Sequence, residues 1–176
     1  MDPLQQLKSE LDRSISDLSA AQILESPPAS PDRWNIYQIV QHLLLTYSST
    51  SASIEGRLEK GNPTRSTATL SQLAARLVVL QLGFFPGGRP APSLVTPSAI
   101  PPDCPVDGRQ LASAAAAALD SMDGVLNYAQ SRFGAVPCLS HFALGPLSIT
   151  QWRRFHLLHG RHHIRQIFAI RHAYGL

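Results

Sequence analysis

Four of the chain's seven histidines, His156, His159, His162 and His163, fall within eight residues of one another late in the sequence. On a helix turning about 100° per residue, His156, His159 and His163 lie within about 60° of one another. They share that face with Trp152, Ile167, Ile170 and Tyr174, while Arg154, Arg161, Arg165 and His172 occupy the opposite side, the expected solvated face of an amphipathic helix. An imidazole in an apolar interior costs free energy unless its nitrogens find partners. Several on one apolar stripe therefore call for a common explanation, and a metal ion supplies one. His159 and His163 have the i, i+4 spacing that lets two side chains on one helical face hold a single ion, with a third ligand from another element. The competing explanation is an unmetallated, hydrogen-bonded histidine cluster.

The elements that must position these residues read as helices. With Asp2 as N-cap, Pro3 to about Leu24 carries Leu4, Leu7, Leu11, Ile15, Leu18 and Ile23 at helical spacing, before the prolines at 27, 28 and 31 break the pattern. Asn35 caps a second helix reaching about Leu58 or Lys60, with Ile36, Ile39, Val40, Leu43, Leu44 and Tyr47 on its inner side. That helix carries His42, which by itself reads as a core histidine; Gln38 and Thr46 lie near the same face and are candidate bonding partners. A third helix is expected from Leu70 to about Leu82, with Thr69 or Ser71 as cap. Residues 83–106 hold seven prolines and show no period, and a loop this long in a compact domain is usually functional or mobile. It is expected to drape over the end of the bundle and line a pocket. Asp107 to about Phe133 forms a further helix whose consecutive alanines, Ala114 to Ala118, permit close approach. After a loop from Gly134 to Pro146, Ser148 and Gln151 fit a capping box that opens the last helix. No strand signal competes, so the periodicity implies an all-α bundle without internal repeats.

Composition narrows the function classes. At 176 residues, 44% hydrophobic and 15% charged, the chain fits one globular domain spanning residues 1–176. The longest apolar run, Leu77 to Phe85, is too short for a bilayer, and no secretory signal is visible, so a cytoplasmic protein without membrane partners is expected. Cys104 and Cys138 are too sparse for a disulfide framework and read as free thiols. All twelve carboxylates lie at or before Asp123, whereas residues 124–176 hold six arginines and no acid. No aromatic-interleaved basic motif accompanies those arginines, so a solvated basic face is favoured over a nucleic-acid groove.

Trp34 ahead of the helix bearing Gln41-His42-Leu43, together with His159-Gly160-Arg161-His162-His163-Ile164-Arg165-Gln166-Ile167, resembles the DinB-like superfamily of bacterial four-helix bundles. The resemblance covers essentially the whole chain, and a Phe-His-x-x-His-x-x-His-His ending matches an uncharacterised DinB-like subgroup. It implies an up-down four-helix bundle, here with an extra short helix and the long Pro/Gly-rich loop. In that superfamily a histidine on the second helix joins two histidines spaced by four to bind a divalent metal, which maps to His42, His159 and His163. Zinc and nickel both suit such nitrogen ligands, iron less well. His162 points away from the ion and is left out of the ligand set; His156 shares the inner face and is the candidate catalytic residue, as an alternative ligand or a proton carrier. His141 is a loop residue that could also handle protons. Ligand histidines normally donate their second nitrogen to an acceptor, a role open to Gln38 or Gln166.

Characterised DinB-like members include enzymes using a low-molecular-weight thiol, such as mycothiol-dependent isomerase and bacillithiol transferases. The resemblance therefore implies a metal-dependent thiol transferase or isomerase acting on a small-molecule substrate. Metal-assisted hydrolysis ranks lower, because no glutamate flanks the ligands and a base would have to come from Glu10, Glu55, Asp103 or another earlier carboxylate. A non-enzymatic, stress-linked bundle with a structural metal is the third expectation, and a homodimer the expected assembly.

Overall fold

The computed structural model describes residues 2–85, 92–97 and 106–176. Most of the Pro/Gly-rich stretch, Asp103 and Cys104 lie outside the described residues. Helix α1 spans Pro3–Ile15 and starts where expected: the Asp2 carboxylate accepts from the N–H groups of Leu4 and Gln5, and Pro3 has no N–H to leave unpaired. The single helix expected to reach Leu24 is a correction. The chain leaves the helix after Ile15, and Ser19 caps a separate one-turn helix, α2, Ala20–Ile23, through a capping box with Gln22. The break receives another helix. The Leu18 carbonyl accepts from the Gly108 N–H at 2.8 Å, and a Cβ at position 108 would sit 1.8 Å from the Ile15 carbonyl oxygen.

Helix α3, Ile36–Glu59, opens on a reciprocal cap between Asn35 and Gln38 and buries Ile36, Ile39, Val40, Leu43, Tyr47 and Ile54. Helix α4, Leu70–Arg76, is capped by Thr69 with Gln72 and passes into a π-helical turn, Leu77–Gln81, where one continuous α-helix to Leu82 was expected. Val79 and Leu80, which reach the core, lie in this wider turn, and the Leu80 carbonyl accepts a hydrogen bond from Arg154 Nε. Helix α5, Gly108–Phe133, is capped by Asp107 and Gln110 and buries Leu111, Ala112, Ala115, Leu119, Met122, Leu126 and Ala129. The segment read as an unstructured loop contains an antiparallel hairpin, β1 Leu139–His141 with β2 Gly145–Leu147. Three-residue strands, one with a proline, are too short to show a period of two.

Helix α6, Ile149–Ala173, opens on the expected Ser148–Gln151 capping box. Helix α1 packs on α5 and α6, α3 packs on α5 and α6, and one core cluster joins all four. Gly160 sets the closeness of α1 to α6: a Cβ there would lie 2.3 Å from Cδ1 of the fully buried Leu7. This contact falls one residue after His159.

The charge asymmetry between the halves of the chain is largely complementary within the fold. Arg161 pairs with Glu10, Arg171 with Asp17, and Arg153 with both Asp2 and Asp123. The expected solvated stripe is thereby corrected for Arg161, whose guanidinium makes two hydrogen bonds to Glu10 of α1 at 2.7 and 2.9 Å. Arg165 and His172 are exposed as expected. Among the described residues, no helix is long and apolar enough to cross a membrane.

Candidate metal centre

Helix α3 carries His42 just after its first turn, and the middle of α6 carries His159 and His163 one turn apart. The close packing of these helices brings three Nε2 atoms together. His159 Nε2 lies 3.3 Å from His42 Nε2 and 3.1 Å from His163 Nε2, and one ligand atom from each residue falls within a 4.8 Å group.

What lies behind the rings decides their protonation. His42 Nδ1 is 2.7 Å from the Val95 carbonyl oxygen, which can only accept, so Nδ1 carries the proton and Nε2 presents a lone pair. His163 Nδ1 is 2.8 Å from Gln166 Oε1, and with the amide in this orientation it too carries the proton. Two of the three imidazoles are thus held by carbonyl oxygens in the tautomer that a ligand histidine needs, the backing that metal-binding histidines normally have. The donor set fits a divalent ion of intermediate softness. His159 Nδ1 is buried and has no partner among the described residues.

Burial lowers the pKa of every imidazole in the cluster. For His163 it reaches about 3, with His42 adding to the effect and the Gln166 hydrogen bond opposing it. For His42 burial outweighs the Val95 carbonyl, and for His159 burial is reinforced by His163, His42, His156 and His162, which takes it well below the usual histidine range. All three are neutral at physiological pH, the form that ligates.

Aromatic rings enclose the centre. Phe155 stacks on His159 at a centroid distance of 5.3 Å and 10° between planes, Phe85 lies 5.6 Å from the same ring, and Trp34 lies 5.1 Å from His42. Among the described residues, no carboxylate contributes to the shifts of His42, His159, His162 or His163.

The remaining sequence candidates are placed as follows. His156 is fully buried outside the group of three; its ring lies 5.5 Å from Tyr47 and 5.8 Å from Trp152, and neither of its nitrogens has a hydrogen-bond partner among the described residues. Burial, with a smaller contribution from His141, takes its pKa down to about 3. His141 Nδ1 accepts from the N–H groups of Ala143 and Leu144 and so organises the hairpin turn; burial takes its pKa to about 4. Gln38 is committed to the Asn35 cap and backs no histidine, while Thr46 donates to the His42 carbonyl. Cys138 is a buried free thiol whose pKa burial raises to about 11, the inert end of cysteine behaviour. Sequence reasoning missed Val95, Phe85 and Phe155 as parts of the centre. Phe155 was findable, because it lies one turn before His159.

No curated protein and no solved structure matches the chain. A family model described as a protein of unknown function, DUF1569, matches residues 4–169, and the chain belongs to that family.

Proposed function

We propose that this chain is a DinB-like, divalent-metal-dependent enzyme in which His42, His159 and His163 hold zinc or nickel and which transfers or isomerises through a low-molecular-weight thiol. In this reading α1, α3, α5 and α6 are the four helices of an up-down bundle. The observation that carries it is the convergence of three Nε2 atoms, two of them fixed as lone-pair donors by Val95 and Gln166. Three neutral imidazoles leave at least one position of a four-coordinate ion open, the pattern of a catalytic rather than a closed structural site. The bound ion supplies Lewis acidity that favours the thiolate form of a thiol, the competent nucleophile.

The chain's own residues do the rest. Phe85, Phe155 and Trp34 exclude water and offer an apolar wall to an electrophile. The thiol sulfur bonds to the electrophilic carbon, the leaving group departs with its electron pair, and the thiol proton must go to a nearby acceptor. His156, one turn before His159 on the inner face, is the proposed proton carrier; burial keeps its pKa near 3, so it would relay the proton rather than hold it. Hydrolysis ranks lower because no glutamate flanks His159 or His163 on α6.

The test is turnover. Zinc- and nickel-loaded protein is mixed with a panel of small thiols and a chromogenic electrophile, and thiol consumption is followed. Acceleration that disappears in His159→Ala supports the reading. A loaded protein that accelerates none of the thiols removes it.

A further inference from the structure

His162 faces away from the three converging nitrogens, yet it is tied to them through one side chain. Gln166 follows His163 by three residues and His162 by four, the two spacings that place side chains together on a helix surface. Its amide bridges both rings: Oε1 lies 2.8 Å from His163 Nδ1, and Nε2 lies 3.2 Å from His162 Nε2. An amide has one accepting end and one donating end, so its two contacts are not independent. If His163 Nε2 is to present a lone pair, its Nδ1 carries the proton, the amide oxygen must face it, and the amide NH2 must face His162. His162 Nε2 then accepts, and its own proton sits on Nδ1. The opposite orientation would turn the amide NH2 toward His163, push the proton of that ring onto Nε2, and cancel its lone pair toward the ion.

We propose that His162 and Gln166 are positioning residues for the metal centre: the Gln166 amide, its oxygen toward Nδ1, fixes the tautomer of His163, and His162, accepting from the amide NH2 through Nε2, braces that orientation. The adjacent histidines at 162 and 163 then have different jobs, one bracing the amide and the other binding. Phe85, with its ring centroid 5.3 Å from His162, holds the outer ring in place.

The inference rests on the metal triad, and two readouts separate them. One is the zinc dissociation constant, by competition with a chromophoric chelator. The other is the protonated nitrogen of His162 and His163 in metal-free protein, from imidazole nitrogen chemical shifts. Gln166 is exposed and His162 half-buried on the surface of α6, so their variants should keep the fold, with circular dichroism as the check. Gln166→Leu is expected to weaken zinc binding by about 10- to 100-fold, the usual effect of losing a ligand's hydrogen-bond partner, and to yield mixed tautomers at His163. His162→Ala is expected to do the same by a smaller factor, Gln166→Glu to restore affinity, and His172→Ala, which removes an exposed histidine of the same helix, to change neither readout. Zinc affinity unchanged in His162→Ala overturns the role of His162; a proton on His163 Nε2 in the wild type overturns the whole chain of bonds. No zinc uptake by the wild type overturns the triad instead, and the His163 tautomer in that same metal-free protein then decides the hydrogen-bond chain separately.

Discussion

Two groups of buried histidine sit one helical turn apart on the inner face of α6, and they are built differently. Around His42, His159 and His163, the backing nitrogens of two rings end on carbonyl oxygens and all three Nε2 atoms point to one place. Around His156, both ring nitrogens and the nearby Tyr47 hydroxyl are buried without hydrogen-bond partners among the described residues. Burial suppresses the charge of both groups, so desolvation does not distinguish them. The difference lies in direction. Nitrogens converging on one point could hold an ion, whereas unpaired nitrogens between aromatic rings are a cost to stability that a protein retains only for some other benefit.

The largest expected effect breaks the first group. His42→Ala, which removes the proposed ligand on α3, should weaken zinc binding by more than the ~10–100-fold caused by losing an outer hydrogen bond. Chelator competition measures it, and an unchanged constant would mean that α3 contributes no ligand.

The second effect sharpens the contrast through pH. The folded pKa of His156 is about 3, against about 6.5 for an unperturbed histidine. Between those values the unfolded chain takes up a proton that the folded chain does not, so stability is fully present above about pH 6.5 and falls as pH drops toward the folded value, by up to about 1.4 kcal/mol per pH unit for this residue. His156→Phe in metal-free protein should flatten that slope in urea melts across this window. It should also leave zinc binding intact while thiol turnover is lost. Retained turnover would leave His156 without a catalytic role.

A smaller change tests the partner ring. Tyr47→Phe removes a buried hydroxyl that has no hydrogen bond among the described residues, and stability should stay level or rise by about 1 kcal/mol. A clear loss would show that the hydroxyl is bonded in solution. The smallest effect belongs to the outer face of the same helix. The Arg161–Glu10 pair is partly exposed, so Glu10→Gln should cost about 1 kcal/mol or less and spare zinc affinity.

The sequence made the triad legible because two of its members lie four residues apart on an apolar stripe, and the resemblance supplied the third from α3. Helix starts were equally legible, since Asp2, Asn35, Thr69, Asp107 and Ser148 all cap where their spacing to the next Gln or Pro suggests. Interruptions were not. The break at Ser16–Leu18 depends on where α5 begins, 90 residues later, through the Leu18–Gly108 hydrogen bond. The hairpin depends on pairing between two three-residue segments. Val95 offers only a backbone carbonyl to the site, which no side-chain pattern can reveal. Arg161 looked solvated because its partner, Glu10, lies on another helix.

The most direct test is metal content. Protein purified without a metal-affinity tag is measured by elemental analysis beside a His159→Ala/His163→Ala variant of equal helical content. One zinc or nickel ion per wild-type chain and none in the variant is the predicted result; no ion in the wild type, even after both metals are offered, would contradict a metal centre and leave the three histidines as a hydrogen-bonded cluster.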